Sequence, residues 1–148
     1  MTPGLRVEVR PSAPDELSEP LSFLEESLRN GEPVPPPFAG RLARAVERRD
    51  LELLAAWADG GVVGVTVLAF RPSISLGATF ASIEDLYVKP DARRRGVGRA
   101  LLGAVGKRCK ERGVSYVEVQ TDEAAAFYMS LGYELEEGVR VLSRCYAL

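Results

Sequence analysis

Residues 93–102 read RRRGVGRALL. Arg93, Arg94 and Arg95 precede the triplet Gly96-Val97-Gly98, Arg99 follows it, and an apolar helical pattern then begins. Just upstream, FASIEDLYV (80–88) reads as a strand closed by Lys89-Pro90. Strand, glycine-bearing turn and helix start together make an anion-binding layout. The glycines let backbone N–H groups converge on an anion, and the helix N-terminus adds partial positive charge. Arginine side chains add charge-assisted hydrogen bonds. Alone, the stretch also fits a solvated charged turn. Two nucleotide motifs do not match it: there is no Gly-x-x-x-x-Gly-Lys-Ser/Thr run, and Leu101 stands where a dinucleotide fingerprint needs its third glycine.

Working outward, LRVEVR (5–10) alternates apolar and charged residues as a half-buried strand does. PSAPDE then supplies turn residues, with Asp15 or Glu16 at a helix start. Leu17, Leu21, Leu24 and Leu28 recur at helical spacing up to a stop at Asn30-Gly31. Residues 31–40 form a proline-rich connector, and a second helical pattern covers 41–49. LELLAAWA (51–58) and VVGVTVLAF (62–70) flank Asp59-Gly60-Gly61, a hairpin signal. Residues 71–79 read as a loop. The helix begun at Val97 reaches about Arg112 before Gly113. VSYVEVQ (114–120) is a strand, DEAAAFYMSL (122–131) a short helix closed by Gly132, and YELEE and RVLSRCYAL are strands around Gly138. The order β-α-α-β-β-β-α-β-α-β-β implies a mixed α/β domain over residues 1–148. Its central sheet is mostly antiparallel, is flanked by helices and carries one parallel crossover.

Composition narrows the chemistry. The chain has 148 residues and a net charge of -2, with a pI of about 5.3. An acidic pI argues against a general nucleic-acid surface. No run is long enough for a membrane span, and the N-terminal MTPGLRVEVRP lacks a signal peptide's apolar core; a cytoplasmic location is expected. The two cysteines, Cys109 and Cys145, have no metal-ligand spacing and are expected as buried thiols. Histidine is absent, which excludes the usual Ser-His-Asp and Cys-His nucleophiles and histidine-based zinc sites. Proton transfer must then use carboxylate, tyrosine, lysine, cysteine or water.

Two segments together resemble the GNAT superfamily of acetyl-CoA-dependent N-acetyltransferases. Its signature Gln/Arg-x-x-Gly-x-Gly/Ala is filled by Arg93, Gly96 and Gly98. Its second pattern, Asn-x-x-Ala-x-x-Phe/Leu-Tyr-x-x-x-Gly-Phe/Tyr, is matched in TDEAAAFYMSLGY by Ala124, Phe127, Tyr128, Gly132 and Tyr133, with Thr121 in place of the asparagine. The motifs cover about residues 82–133, and the element order extends the likeness over nearly the whole chain.

The resemblance implies acetyl transfer from acetyl-CoA to a primary amine by direct attack in a ternary complex, with no metal. Cofactor pyrophosphate would rest on the amides of Arg94, Arg95, Gly96, Val97, Gly98 and Arg99, with Arg93 and Arg99 side chains reaching other phosphates. Thr121, Ala124 and Phe127 complete the implied cofactor contacts. The pantetheine arm would pair with Leu86, Tyr87 and Val88, and the Val88 amide would face the thioester oxygen. Tyr128 would protonate the departing thiolate. Strand alternation puts Glu84 on the face of Leu86 and Val88, so Glu84 is the expected base, with Asp85 as its alternative. The acceptor cleft is expected near residues 21–40, 71–79 and 133–140, where Glu25, Glu26 and Glu32 are placed to attract a cationic amine. The resemblance also implies a homodimer. The competing class is a non-catalytic acyl-CoA-binding regulatory module. Trp57 and Cys109 read as core, and Gly103 and Gly106 as points where a helix approaches the sheet closely.

Overall fold

The computed structural model describes residues 4–147. Strand β1 (Glu8–Pro11) is followed by helices α1 (Ser18–Arg29) and α2 (Pro36–Glu47). Then come β2 (Leu51–Ala58), β3 (Gly61–Ser73), β4 (Ala78–Val88), α3 (Val97–Glu111), β5 (Val117–Val119) and α4 (Ala125–Ser130). The strands form one sheet in the order β1-β2-β3-β4-β5. All pairs are antiparallel except β4–β5, which is parallel. The mixed, mostly antiparallel sheet flanked by helices is the one the pattern implies.

Alternation along the strands splits the core. Leu53, Ala55, Val65 and Val67 pack with Leu17, Leu24 and Val46 of the α1/α2 side. Leu54, Leu68, Phe70, Ala81 and Ile83 face the other way, onto Leu102, Val105 and Cys109 of α3 and onto Tyr128. The β2–β3 hairpin closes on Asp59 and Gly60, with φ of 53° and 80°, the two positive-φ residues that a tight hairpin turn needs. Trp57 is half-buried against the α1/α2 cluster and carries the Arg10 guanidinium 4.7 Å above its ring.

Several boundaries differ from the pattern reading. β1 starts at Glu8, because the Leu5 N–H bonds the Arg95 carbonyl instead of a strand. α1 starts at Ser18, later than Asp15 or Glu16. α2 starts inside the proline run, at Pro36. Proline is well suited to a first helical turn, where its missing N–H costs nothing. The 71–79 loop shrinks to residues 74–77, since β3 and β4 pair out to Ser73 and Ala78.

The last two expected strands do not form. Residues 133–147 have no ladder partner among the described residues, and Leu148 lies outside them. Val139, Val141, Leu142 and Tyr146 are exposed. Alternation supplies only propensity; a strand requires a partner and a buried face. Cys145 is likewise exposed rather than buried, whereas Cys109 is buried, and desolvation pushes its thiol pKa up.

Gly103 and Gly106 are also reassigned. A Cβ at either would meet nothing within 4 Å, so neither brings α3 close to the sheet. Gly64 of β3 does so: a Cβ there would lie 3.0 Å from Val97 Cγ1 and 3.1 Å from Leu101 Cδ1.

Candidate active site

The site is built where β4 outruns its neighbour. β5 pairs with β4 only from Ala81↔Val117 to Ile83↔Val119, while β4 continues to Val88. From Glu84 onward β4 therefore has no strand partner on that side among the described residues. Its register against β3 jumps from Leu68↔Ile83 to Val67↔Asp85, which leaves Glu84 as a bulge. A bulge breaks the two-residue alternation. Leu86 and Val88 consequently share the α3-side face with Ala81 and Ile83, and the parity that put Glu84 with Leu86 and Val88 does not hold. Glu84 is exposed and Asp85 half-buried. Burial, with a smaller contribution from the Glu84 charge, raises the Asp85 pKa.

Backbone direction at the end of β4 is fixed by one bond. The Lys89 N–H donates to the Val63 carbonyl at 2.8 Å, towards β3. By alternation, the Val88 N–H and C=O point to the open edge. There Arg93 Nε donates to the Val88 carbonyl at 3.0 Å.

The turn beyond Val88 carries the arginines. A short 3-10 turn, Pro90–Ala92, leads into it. Arg94 has φ 60° and Gly96 φ 89°, a left-handed alternation that gathers successive N–H groups into a concavity. α3 begins at Val97 with no side-chain cap and no acidic residue in its first turn, so its first N–H groups have no internal acceptor. A Cβ on Gly96 would meet nothing within 4 Å, so the turn opens onto free space. Arg94 and Arg99 are exposed. A Cβ on Gly98 would lie 3.0 Å from Phe127 Cζ. The two sequence motifs are thus in contact, with Gly98 making room for α4.

Just before α4, Thr121 Oγ1 accepts the Ala124 N–H at 3.2 Å and so closes the turn into the helix. Tyr128 is buried among core residues, edge-on to Phe127 at 5.4 Å and to Tyr133 at 5.5 Å. Desolvation raises its pKa, which keeps its hydroxyl protonated at neutral pH. It also lines a groove of about 440 Å3 beside β5. Tyr128 and Leu86 pack on the same core cluster.

The opposite face of β4 borders a second cavity, of about 460 Å3, lined among others by Glu19, Phe23, Glu26, Val62, Tyr87 and Lys89. Glu19, Phe23 and Glu26 fall at helical spacing on one face of α1. Of the three acidic residues marked in the sequence, only Glu26 lines this cavity. Glu25 accepts the Val34 N–H at 2.7 Å, and Glu32 lies 4.0 Å from Arg29. Phe23 lies within the 21–40 stretch expected to border the acceptor cleft, whereas Glu19 and Lys89 escape the sequence reading of the site; the spacing of residues 19, 23 and 26 on α1 is the signal for Glu19. Among the described residues, no cluster of His, Cys, Asp or Glu is arranged to hold a metal ion, and no helix is long and apolar enough to cross a membrane.

A sequence profile of the acetyltransferase (GNAT) family matches residues 17–133. An uncharacterized N-acetyltransferase of Methanocaldococcus jannaschii is 39% identical over 64 residues, covering 40% of this chain and 28% of that protein. A spermidine N(1)-acetyltransferase of Thermoplasma acidophilum is 27% identical over 100 residues, covering 65% of this chain and 58% of that protein. The match therefore spans less than two thirds of the length of either curated relative. The crystal structure of an aminoglycoside acetyltransferase from an uncultured soil metagenomic sample, in complex with trehalose, has the same fold. Its TM-score is 0.78 at 23% identity, over 96% of each chain.

Proposed function

This chain belongs to the acetyltransferase (GNAT) family, and on that premise we propose that it is an acyltransferase that moves the acetyl group of acetyl-CoA to a primary amine, by direct attack in a ternary complex. The observation that carries the reading is the pairing of a β4 edge without a neighbouring strand among the described residues with an open, left-handed arginine–glycine turn at a helix start. Bound acetyl-CoA supplies an activated acyl thioester and a pyrophosphate. The amides of Arg94, Arg95, Gly96, Val97, Gly98 and Arg99 hold the pyrophosphate, and Arg99 adds charge. Leu86, Tyr87 and Val88 offer the β4 edge to the pantetheine arm. The Val88 N–H, directed to that edge, stabilises charge on the thioester oxygen.

Asp85, half-buried near the end of β4 with its pKa raised by burial, takes the amine's proton through water. Glu84 at the bulge is the alternative. Tyr128 returns a proton to the departing thiolate. Thr121 and Ala124 set the start of α4, and Phe127 seats against Gly98. The amine enters from the cavity under α1, where Glu19 and Glu26 attract a cationic acceptor. Spermidine and aminoglycosides, the acceptors in the names of a relative and of a fold neighbour, are of that kind.

The test is release of free thiol from acetyl-CoA in the presence of spermidine, an aminoglycoside, free amino acids and a peptide N-terminus. Release stimulated by at least one amine is expected; binding of acetyl-CoA without release under any amine defeats the reading. Tyr128→Phe should lower kcat by about 100-fold and leave the Kd for CoA unchanged, checked by steady-state kinetics and calorimetry.

A further inference from the structure

Arg93 is the turn arginine whose side chain folds back onto the strand. Its Nε donates to the Val88 carbonyl at 3.0 Å, and its guanidinium carbon lies 5.0 Å from the centre of the Tyr87 ring. Tyr87 in turn meets Phe23 of α1 edge-on, with ring centroids 6.2 Å apart. Tyr87 and Phe23 are both walls of the cavity under α1, with Glu19 and Glu26 beside them. A continuous chain of contacts thus runs from the anion-binding turn, across the end of β4, to the helix that borders the opposite face of the sheet.

We propose that Arg93 is a positioning residue that couples the cofactor turn to the acceptor cavity through Tyr87 and Phe23. The physical basis is the geometry of guanidinium. Among the described residues, the Arg93 guanidinium makes its one hydrogen bond through Nε, which leaves its terminal nitrogens for an anion at the turn. A planar group gripped on both sides loses rotational freedom. Because that plane lies over Tyr87, fixing it fixes the ring, and the ring fixes the edge contact with Phe23. Charge arriving at the turn therefore stiffens the acceptor wall some distance away, and the two ligands bind with positive coupling without any large movement. Arg94 and Arg99, which have no such contact, act only at the turn.

The inference rests on the cofactor reading above, and amide hydrogen exchange with CoA as the probe separates the two. In the full chain saturated with CoA, exchange should slow at residues 93–99 and also, about threefold or more, at residues 22–27 of α1. In Tyr87→Leu and in Arg93→Ala, each saturated with CoA, the slowing at 93–99 should persist and that at 22–27 should vanish. Phe23→Leu serves as a third variant if either of these fails to fold. With an accepted amine in hand, Phe23→Leu should raise KM for the amine and leave KM for acetyl-CoA unchanged. Slowing at the turn without slowing at α1 in the wild type, or equal slowing at α1 in the variants, overturns the coupling alone. No slowing at residues 93–99 overturns the cofactor reading and the coupling with it.

Discussion

The two ends of α3 carry the same residue type under opposite conditions. At its N-terminal end, Arg94 and Arg99 are exposed, face no acidic partner among the described residues, and flank backbone in a left-handed conformation. At its C-terminal end, Arg108 and Arg112 converge on the buried carboxylate of Glu52. Arg108 Nε and Nη2 reach its two oxygens at 2.6 and 3.1 Å, and Arg112 Nη1 donates at 2.8 Å. Arg112 also stacks 3.6 Å over Phe70 and donates to the Arg49 carbonyl. Arginine is a structural tie where a buried carboxylate neutralises it and, on the proposed reading, a ligand-binding group where none does. The charge left unneutralised lies where a helix start already favours an anion.

The first way to break the contrast is Gly96→Val. The open space at Gly96 means that no clash unfolds the protein, but a β-branched residue at φ 89° is strained by about 1–3 kcal/mol. The turn relaxes, and the side chain occupies the space in front of the amides. CoA affinity should fall by more than about 100-fold, or about 2.7 kcal/mol or more, while the circular dichroism spectrum is kept. Isothermal calorimetry checks this, and near wild-type affinity would show that the turn is not the anion site.

The second acts on the other end. Glu52→Ala removes the common partner of two arginines and leaves their charges poorly compensated, which should cost about 3–5 kcal/mol by denaturant unfolding. Burial raises the Glu52 pKa, but hydrogen bonds and charge from Arg108 and Arg112 outweigh it, and the net shift is downward. A carboxylate with a lowered folded pKa adds stability above its unfolded pKa, about 4.3. That contribution is lost as pH falls through the lower folded value. Wild-type stability should therefore decline with acid below about pH 4, and Glu52→Ala should show a shallower decline there. Equal slopes would mean that the network does not titrate with folding.

Arg99→Ala sharpens the contrast from the ligand side. Thermal stability should not change, since an exposed arginine without a partner among the described residues holds nothing together. CoA affinity should fall by about 3–10-fold, less so at high salt, the size of one charge-assisted contact at a wet surface. Loss of stability in Arg99→Ala would place this residue with Arg108 and Arg112 instead.

These features were unequally legible in the sequence. Local signals survived folding. Gly96 and Asn30 take the left-handed conformations their positions imply, and Asp59-Gly60 makes its hairpin. The two family motifs were recognisable separately, but not their contact through Gly98 and Phe127. The bulge at Glu84 was hidden, because alternation assumes an unbroken ladder and one inserted residue reverses every later parity. The Glu52 network was hidden for a different reason: its arginines lie 56 and 60 residues away along the chain. The C-terminal strands failed because pattern cannot supply a partner.

The smallest effect is expected in the middle of α3, between its two ends. Gly103 and Gly106 are exposed, lie inside the helix, do not have positive φ, and have no neighbour that a Cβ would meet within 4 Å. Alanine at either position removes backbone freedom from the unfolded chain and adds nothing to crowd. Each substitution should therefore stabilise the protein by about 0.5–1 kcal/mol, raising Tm by about 1–4 °C for a domain of this size. CoA affinity and the acid dependence should not move, since both belong to the ends of the helix. If Gly103→Ala or Gly106→Ala instead lowers Tm, or changes CoA affinity, then α3 flexes in the middle, and its two ends do not act independently.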